Sequence, residues 1–221
     1  GEIDMALFEE IAKFQKEMMP KIPQDVLQAM QKTSAEIISK NLHHGALKSG
    51  DTIPAFTLPD ATGAPVSSDQ LLKSGLLVIS FYRGGWCPYC NLELKALQSA
   101  LLKIKTLKAN LIVISPELQD HARVTQEENS LEYPVLSDVD NSVAKQFGLV
   151  YELGEEMTEL FKHTFNWDLQ SINGAQKVEL PFPATYIVNQ EGVVKYAFVD
   201  ADYTQRAEPD KIIEVLRSCG D

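Results

Sequence analysis

The 221-residue chain is short of several things, and each shortage excludes a class of protein. It has three cysteines, too few for a disulfide scaffold and too few for a four-cysteine zinc site. Lys and Arg total 20 against 31 Asp and Glu, a formal net charge of −11, so nucleic acid and anionic membrane are poor partners. No run approaches the roughly 18 uncharged apolar residues that a membrane span requires. There is no internal repeat, no low-complexity tract and no glycine-rich phosphate loop, the Gly84-Gly85 pair being too short for one. Gly1-Glu2-Ile3-Asp4 shows no basic stretch ahead of an apolar run, so no secretory signal is read there. What remains is the expectation of a soluble, acidic, cytoplasmic protein with 44% hydrophobic residues, enough at this length to bury a core.

The chain divides by pattern. In residues 1–48, Ile3, Leu7, Phe8, Ile11, Phe14 and Met18 recur at helical spacing, and a second amphipathic helix is predicted from about Asp25 to about Lys40. This helical extension needs a surface for its apolar stripes, either its own domain or a second copy in a homodimer. From residue 49 onward strands and helices alternate. Ile53 to Leu58 reads as a short strand, Ser68-Asp69 as the cap of a short helix, and Leu76 to Tyr82 as a strand buried on both faces. A helix is predicted from Pro88 to Lys108, a buried strand from Leu111 to Ser115 and a helix from Glu117 to Glu128. Beyond these come a hairpin about Gln190-Glu191-Gly192 and a last helix from Glu208 to Arg217. Residues 151–180 have little strand character and read as a helical insertion. The order implies an α/β fold, a central mixed sheet covered by helices.

The chemistry concentrates in Phe81-Tyr82-Arg83-Gly84-Gly85-Trp86-Cys87-Pro88-Tyr89-Cys90. A buried strand ends, two glycines turn the chain, and cysteines stand at i and i+3 where a helix begins. One helical turn puts both sulfurs on one face. The helix N-terminus, with free amides and a favourable dipole, stabilises the thiolate of Cys87, and Pro88 suits the first helical position. Zinc would need further ligands from His43, His44, His121, His163 or Cys219, and none has a finger-like spacing after the motif. A Cys-His hydrolase would need His121 or His163 beside Cys87. His43-His44 reads as a polar helix end and Cys219 as a spare thiol. Phe161, Phe165 and Trp167 read either as a roof over the site or as simple packing.

At these residues the sequence resembles the thioredoxin-fold superfamily. More closely, it is similar to peroxiredoxin-like proteins of the alkyl hydroperoxide reductase/thiol-specific antioxidant family. Trp86-Cys87-Pro88-Tyr89-Cys90 looks like a thioredoxin or glutaredoxin active site. Gly50 to Asp60 is similar to the opening strand of peroxiredoxins, and Pro183-Ala184-Thr185-Tyr186-Ile187-Val188 resembles the segment that faces the active site. The resemblance implies a thioredoxin-like fold over residues 49–221, a site framed by Pro183 and Thr185, and a cis bond before Pro183. It implies a thiol-dependent peroxidase in which Cys87 attacks a hydroperoxide, Cys90 resolves the product as a disulfide, and a dithiol such as thioredoxin re-reduces it. No metal, flavin or nucleotide cofactor is called for. The family's Thr three residues before the first cysteine is Gly84 here, its preceding Pro falls on Ser80, and its late Arg falls near Pro183. Arg83 is then either the substitute positive charge or a surface Arg in a turn. A thiol–disulfide oxidoreductase without peroxide chemistry and a redox-sensing interaction protein remain as alternatives.

Overall fold

The structure, a computed structural model, describes residues 5–220. Ile3, the first residue of the predicted apolar stripe, lies outside them. The chain opens with helices α1 (Leu7–Met18) and α2 (Gln24–Ser39), followed by a short hairpin of β1 (Thr57–Pro59) and β2 (Pro65–Ser67). Then come α3 (Ser68–Ser74), β3 (Leu76–Phe81), α4 (Pro88–Thr106), β4 (Ala109–Ser115), α5 (Gln119–Glu128), β5 (Val135–Ser137) and α6 (Ser142–Gln146). Next are β6 (Val150–Glu152), α7 (Glu155–Phe165), α8 (Leu169–Asn173), β7 (Glu179–Pro181), β8 (Ala184–Val188), β9 (Val194–Val199) and α9 (Pro209–Cys219).

Five strands form the central sheet in the order β5-β4-β3-β8-β9, with β3, β4 and β5 parallel and β8 and β9 antiparallel to their neighbours. The sequence of β3 explains its central place. Leu77 and Ile79 face one hydrophobic cluster and Val78 the other, so neither face tolerates a polar side chain without a partner. Helix α4 begins with Pro88 at its first position, where the missing N–H is no loss, and buries Cys90, Leu94, Leu97, Leu101 and Ile104 along one stripe. The β3–α4–β4 unit therefore sets the strand end and the helix start against each other at the sheet's centre.

Three local expectations are revised. The cap of α3 is Ser67, whose side chain accepts from the Gln70 N–H, because the Ser68 hydroxyl is engaged with the backbone of Phe56 instead. The stretch 151–180 is helical only inside. Its ends pair as antiparallel β6 and β7, with Tyr151 opposite Leu180, which closes the segment at its base. The Phe182–Pro183 bond is trans, and the extended backbone lets the Phe182 N–H reach Leu149 O at 2.8 Å.

The apolar stripe of α1 is partly spent within the same chain: Leu7 and Ile11 are buried and the helix lies against α4. Its first turn is tied down by Glu208, whose carboxylate accepts from Leu7 N–H (3.1 Å) and Phe8 N–H (2.7 Å), an anion at a helix N-terminus. No helix among the described residues is long and apolar enough to cross a membrane.

Candidate active site

Strand β3 delivers the chain into the turn 82–86, and Cys87 caps α4 with extended backbone. The turn is held from two sides. Gly85 N–H donates to Glu117 Oε1 (3.0 Å), and Gly85 O accepts from Asn91 Nδ2 (2.8 Å). Thr125 Oγ1 donates to the same Glu117 oxygen (3.1 Å). Both glycines are forced by close approach: a Cβ at Gly84 would run into the Trp86 indole, and one at Gly85 into the Thr125 hydroxyl. Gly85→Ala is expected to cost about 1–3 kcal/mol, the range for overpacking a tight site. Urea unfolding with a Thr125→Ala partner, which makes room, should show the loss partly recovered in the double variant.

Both sulfurs are fully buried, which spacing alone did not foretell. Arg83 is buried as well, with 4% of its surface exposed, so it is not a surface residue of the turn. Its Nη2 donates to Cys87 Sγ at 3.4 Å, its Nη1 to the Tyr151 hydroxyl at 3.4 Å, and its backbone N–H to Cys90 Sγ at 3.4 Å. The guanidinium is also bracketed by rings, 4.1 Å from the Tyr203 centroid and 4.9 Å from that of Trp86. Tyr89 stands against Tyr203 at 5.4 Å, and Pro88 is half-buried at the start of α4.

A second arginine, unmarked by any motif, completes the site. Arg206, from the segment after β9, sends Nη2 to Cys90 Sγ (3.4 Å) and Nη1 to the Glu93 carboxylate (3.6 Å). Glu93 lies one turn along α4 from Cys90 and takes a hydrogen bond from Ser80 Oγ (2.9 Å), which is 3.3 Å from Thr185 Oγ1. Register explains that contact, since Ser80 on β3 faces Thr185 on β8. Pro183 is buried just ahead of β8. A buried Glu in the helix and a buried Arg after the last strand were both missed by motif reading. The signal that could have found Glu93 was a carboxylate among the leucines of the α4 stripe.

These neighbours split the two thiols. Burial alone would raise the pKa of Cys87, but the hydrogen bond with Cys90 and the charges of Arg83 and Arg206 outweigh it and hold it well below the usual thiol range. Cys90 is pushed well above that range, first by burial and next by its hydrogen bond to Cys87. Cys87 is thereby the more acidic thiol of the pair, with two cations against the two sulfurs. His121 and His163 lie on α5 and α7, and the exposed His163 pairs with Glu159 at 3.0 Å. Cys219 ends α9. Phe161 and Trp167 do reach the motif, with Trp86 5.7 Å from Phe161 and 5.3 Å from Trp167 between ring centres, and Phe165 stacks behind them on Trp167 at 4.5 Å.

The profile of the AhpC/TSA family matches residues 49–197, the stretch carrying both cysteines. The chain belongs to the AhpC/TSA family. Among relatives, one in Mycobacterium tuberculosis described as a peroxiredoxin is 31% identical over 119 residues, 54% of this chain and 77% of that protein. Chloroplastic peroxiredoxin Q of Sedum lineare is 26% identical over 183 residues, 83% of each chain. In three dimensions the chain is similar to the peroxidoxin BcpB of M. tuberculosis, with a TM-score of 0.61 at 24% identity, covering 78% of this chain and 97% of that one. That likeness shows a peroxiredoxin-type thioredoxin fold. Helices α1 and α2 lie ahead of the stretch that the AhpC/TSA profile matches.

Proposed function

We propose that Cys87 is the peroxide-reducing thiolate of this thiol-dependent peroxidase and that Cys90 resolves it. The observation that supports this most is the Arg83 guanidinium on the Cys87 sulfur at 3.4 Å, a buried cation that favours the ionised form of that one thiol. The thiolate sulfur attacks the terminal oxygen of ROOH. An S–O bond forms as the O–O bond breaks, RO⁻ leaves and takes a proton to become ROH, and Cys87 is left as a sulfenic acid. Cys90 then displaces that oxygen, giving the Cys87–Cys90 disulfide and water, and Arg206 on the Cys90 sulfur favours its ionisation as it attacks. A dithiol protein of the thioredoxin type reduces the disulfide by exchange and is itself oxidised. Arg83 does what the family assigns to a Thr and a later Arg, here from within the turn itself.

Stopped-flow titration of the reduced protein with hydrogen peroxide tests the assignment. Cys87→Ser is expected to abolish oxidation. Cys90→Ser is expected to keep the first step at a similar rate but to stop after one equivalent, with a sulfenic acid that dimedone traps. Peroxide consumption equal to that of Cys87→Ser in the unaltered protein would rule the assignment out.

A further inference from the structure

The active-site turn carries two buried donors, Trp86 Nε1 and Arg83 Nε, that have no acceptor among the described residues. A buried N–H without a partner is costly, so two of them beside a reactive sulfur point to an acceptor that arrives with the substrate. Their placement narrows its identity. In a planar guanidinium the Nε–H and one Nη2 N–H lie side by side on one edge. Arg83 Nη2 donates to Cys87 Sγ at 3.4 Å, so the free Nε–H stands next to the bond that holds the sulfur. The indole comes from the other side of the turn. A Cβ at Gly84 would meet Trp86 Nε1 before any other atom, so the indole nitrogen fills the space that a side chain at position 84 would take.

We propose that Trp86 is a catalytic residue of the peroxide step, its indole N–H acting with Arg83 Nε–H to hold the oxygen that leaves when Cys87 attacks. The inference rests on the peroxidase reading above and adds a residue to it. As the S–O bond forms, the O–O electron pair passes to the departing oxygen, and the two N–H groups donate to it while its charge builds. Both keep their protons, and water supplies the one that completes the alcohol. The indole is fixed before substrate arrives. Phe161 and Trp167 pack on it, and the Arg83 guanidinium lies 4.9 Å from its ring centre. A donor locked by packing needs no reorganisation at the moment of reaction. The nearby carboxylates do not compete for it. Glu117 accepts from Gly85 N–H and Thr125 Oγ1, and Glu93 is engaged with Arg206 and Ser80. Arg83 also borders a cavity of about 380 Å³ that opens beside the turn, which brings small solutes to this end of the site.

Trp86→Phe keeps a ring against Phe161 and Trp167 but removes the N–H. In a Cys90→Ser background, second-order rate constants at Cys87 are measured with hydrogen peroxide and with iodoacetamide, an electrophile that tests the same thiolate without a departing oxygen. The peroxide constant is expected to fall at least about tenfold in Trp86→Phe, toward the roughly 10²–10³ typical of losing one preorganised donor. The alkylation constant and its pH midpoint are expected to stay in place. Trp167→Phe, which removes the neighbouring indole instead, is expected to leave both constants unchanged. A smaller fall in the peroxide constant overturns the proposal. So does an equal fall in both constants, which would make Trp86 a support of the thiolate, or an equal loss in Trp167→Phe, which would make it aromatic packing. Failure of the peroxidase reading shows differently, as a Cys87 that alkylates but is not oxidised even with Trp86 intact, and it removes this proposal with it.

Discussion

Replacing Arg83 with methionine is expected to slow oxidation of Cys87 by about 10- to 150-fold at neutral pH, with the pH midpoint for its alkylation moved upward. Methionine keeps much of the buried volume between Trp86 and Tyr203 but removes the donor to Cys87 Sγ. A hydrogen bond to a charged group is worth about 1.5–3 kcal/mol, and about 1.4 kcal/mol corresponds to one pKa unit. The sign follows from the thiolate being the reactive form. In the native site the Cys87 pKa is depressed, so reactivity is present through neutral pH and is lost as pH falls through that low value. Without Arg83 the midpoint rises, and the loss begins at a higher pH. Iodoacetamide alkylation rates in a Cys90→Ser background, measured from pH 4 to 10, read the midpoint directly. A midpoint that stays in place would mean that the hydrogen bond from residue 90 and the charge of Arg206 hold the thiolate without Arg83.

Glu93→Ala is expected to be the most destabilising single change in the site, at about 3–5 kcal/mol, since it strips a buried cation of its counter-ion. The Glu93 and Arg206 side chains are 3% and 1% exposed, and their 3.6 Å pair has no solvent to fall back on. With Cys87 ionised, the buried cluster holds two arginine cations against a carboxylate and a thiolate. Removal of Glu93 leaves two cations facing one anion. The paired change Glu93→Leu with Arg206→Met discards both charges, and its stability should recover most of the loss. Urea midpoints for the three proteins check this. A Glu93→Ala protein within 1 kcal/mol of the unaltered one would show that the pair does not hold the fold. The same double variant should also slow disulfide formation after peroxide, because Arg206 no longer assists Cys90.

How much of this was legible before folding depends on how far the information reaches along the chain. The β3–turn–α4 unit was legible because each of its signals is local. An unbroken apolar run encodes a strand buried on both faces, two glycines a tight turn, and Pro88 a helix start. The position of Arg83 four residues before Cys87 suggested a charge partner, but only burial separates that from a solvated turn residue. Ser80 was visible merely as a position where a family proline is missing. In the structure it is the hydroxyl that holds Glu93. The burial of both sulfurs was not legible, because the buried cluster that holds them draws Ile187, Ala207 and Ile212 from elsewhere in the chain, and Arg206 reaches Cys90 Sγ from there too.

Three cysteines in 221 residues excluded a disulfide scaffold, and the spacing of two of them at a helix start marked a redox pair. Periodicity also determined an α/β order with helices ahead of it. The tertiary structure decided the rest: which thiol is made the more acidic, which charges face it and what surrounds it. Arg206 acts on Cys90 across 116 residues of sequence. Propensity, capping and hydrophobic period act between neighbours in the chain. Electrostatic partners and cavity walls depend only on distance in space, and no local pattern encodes that distance.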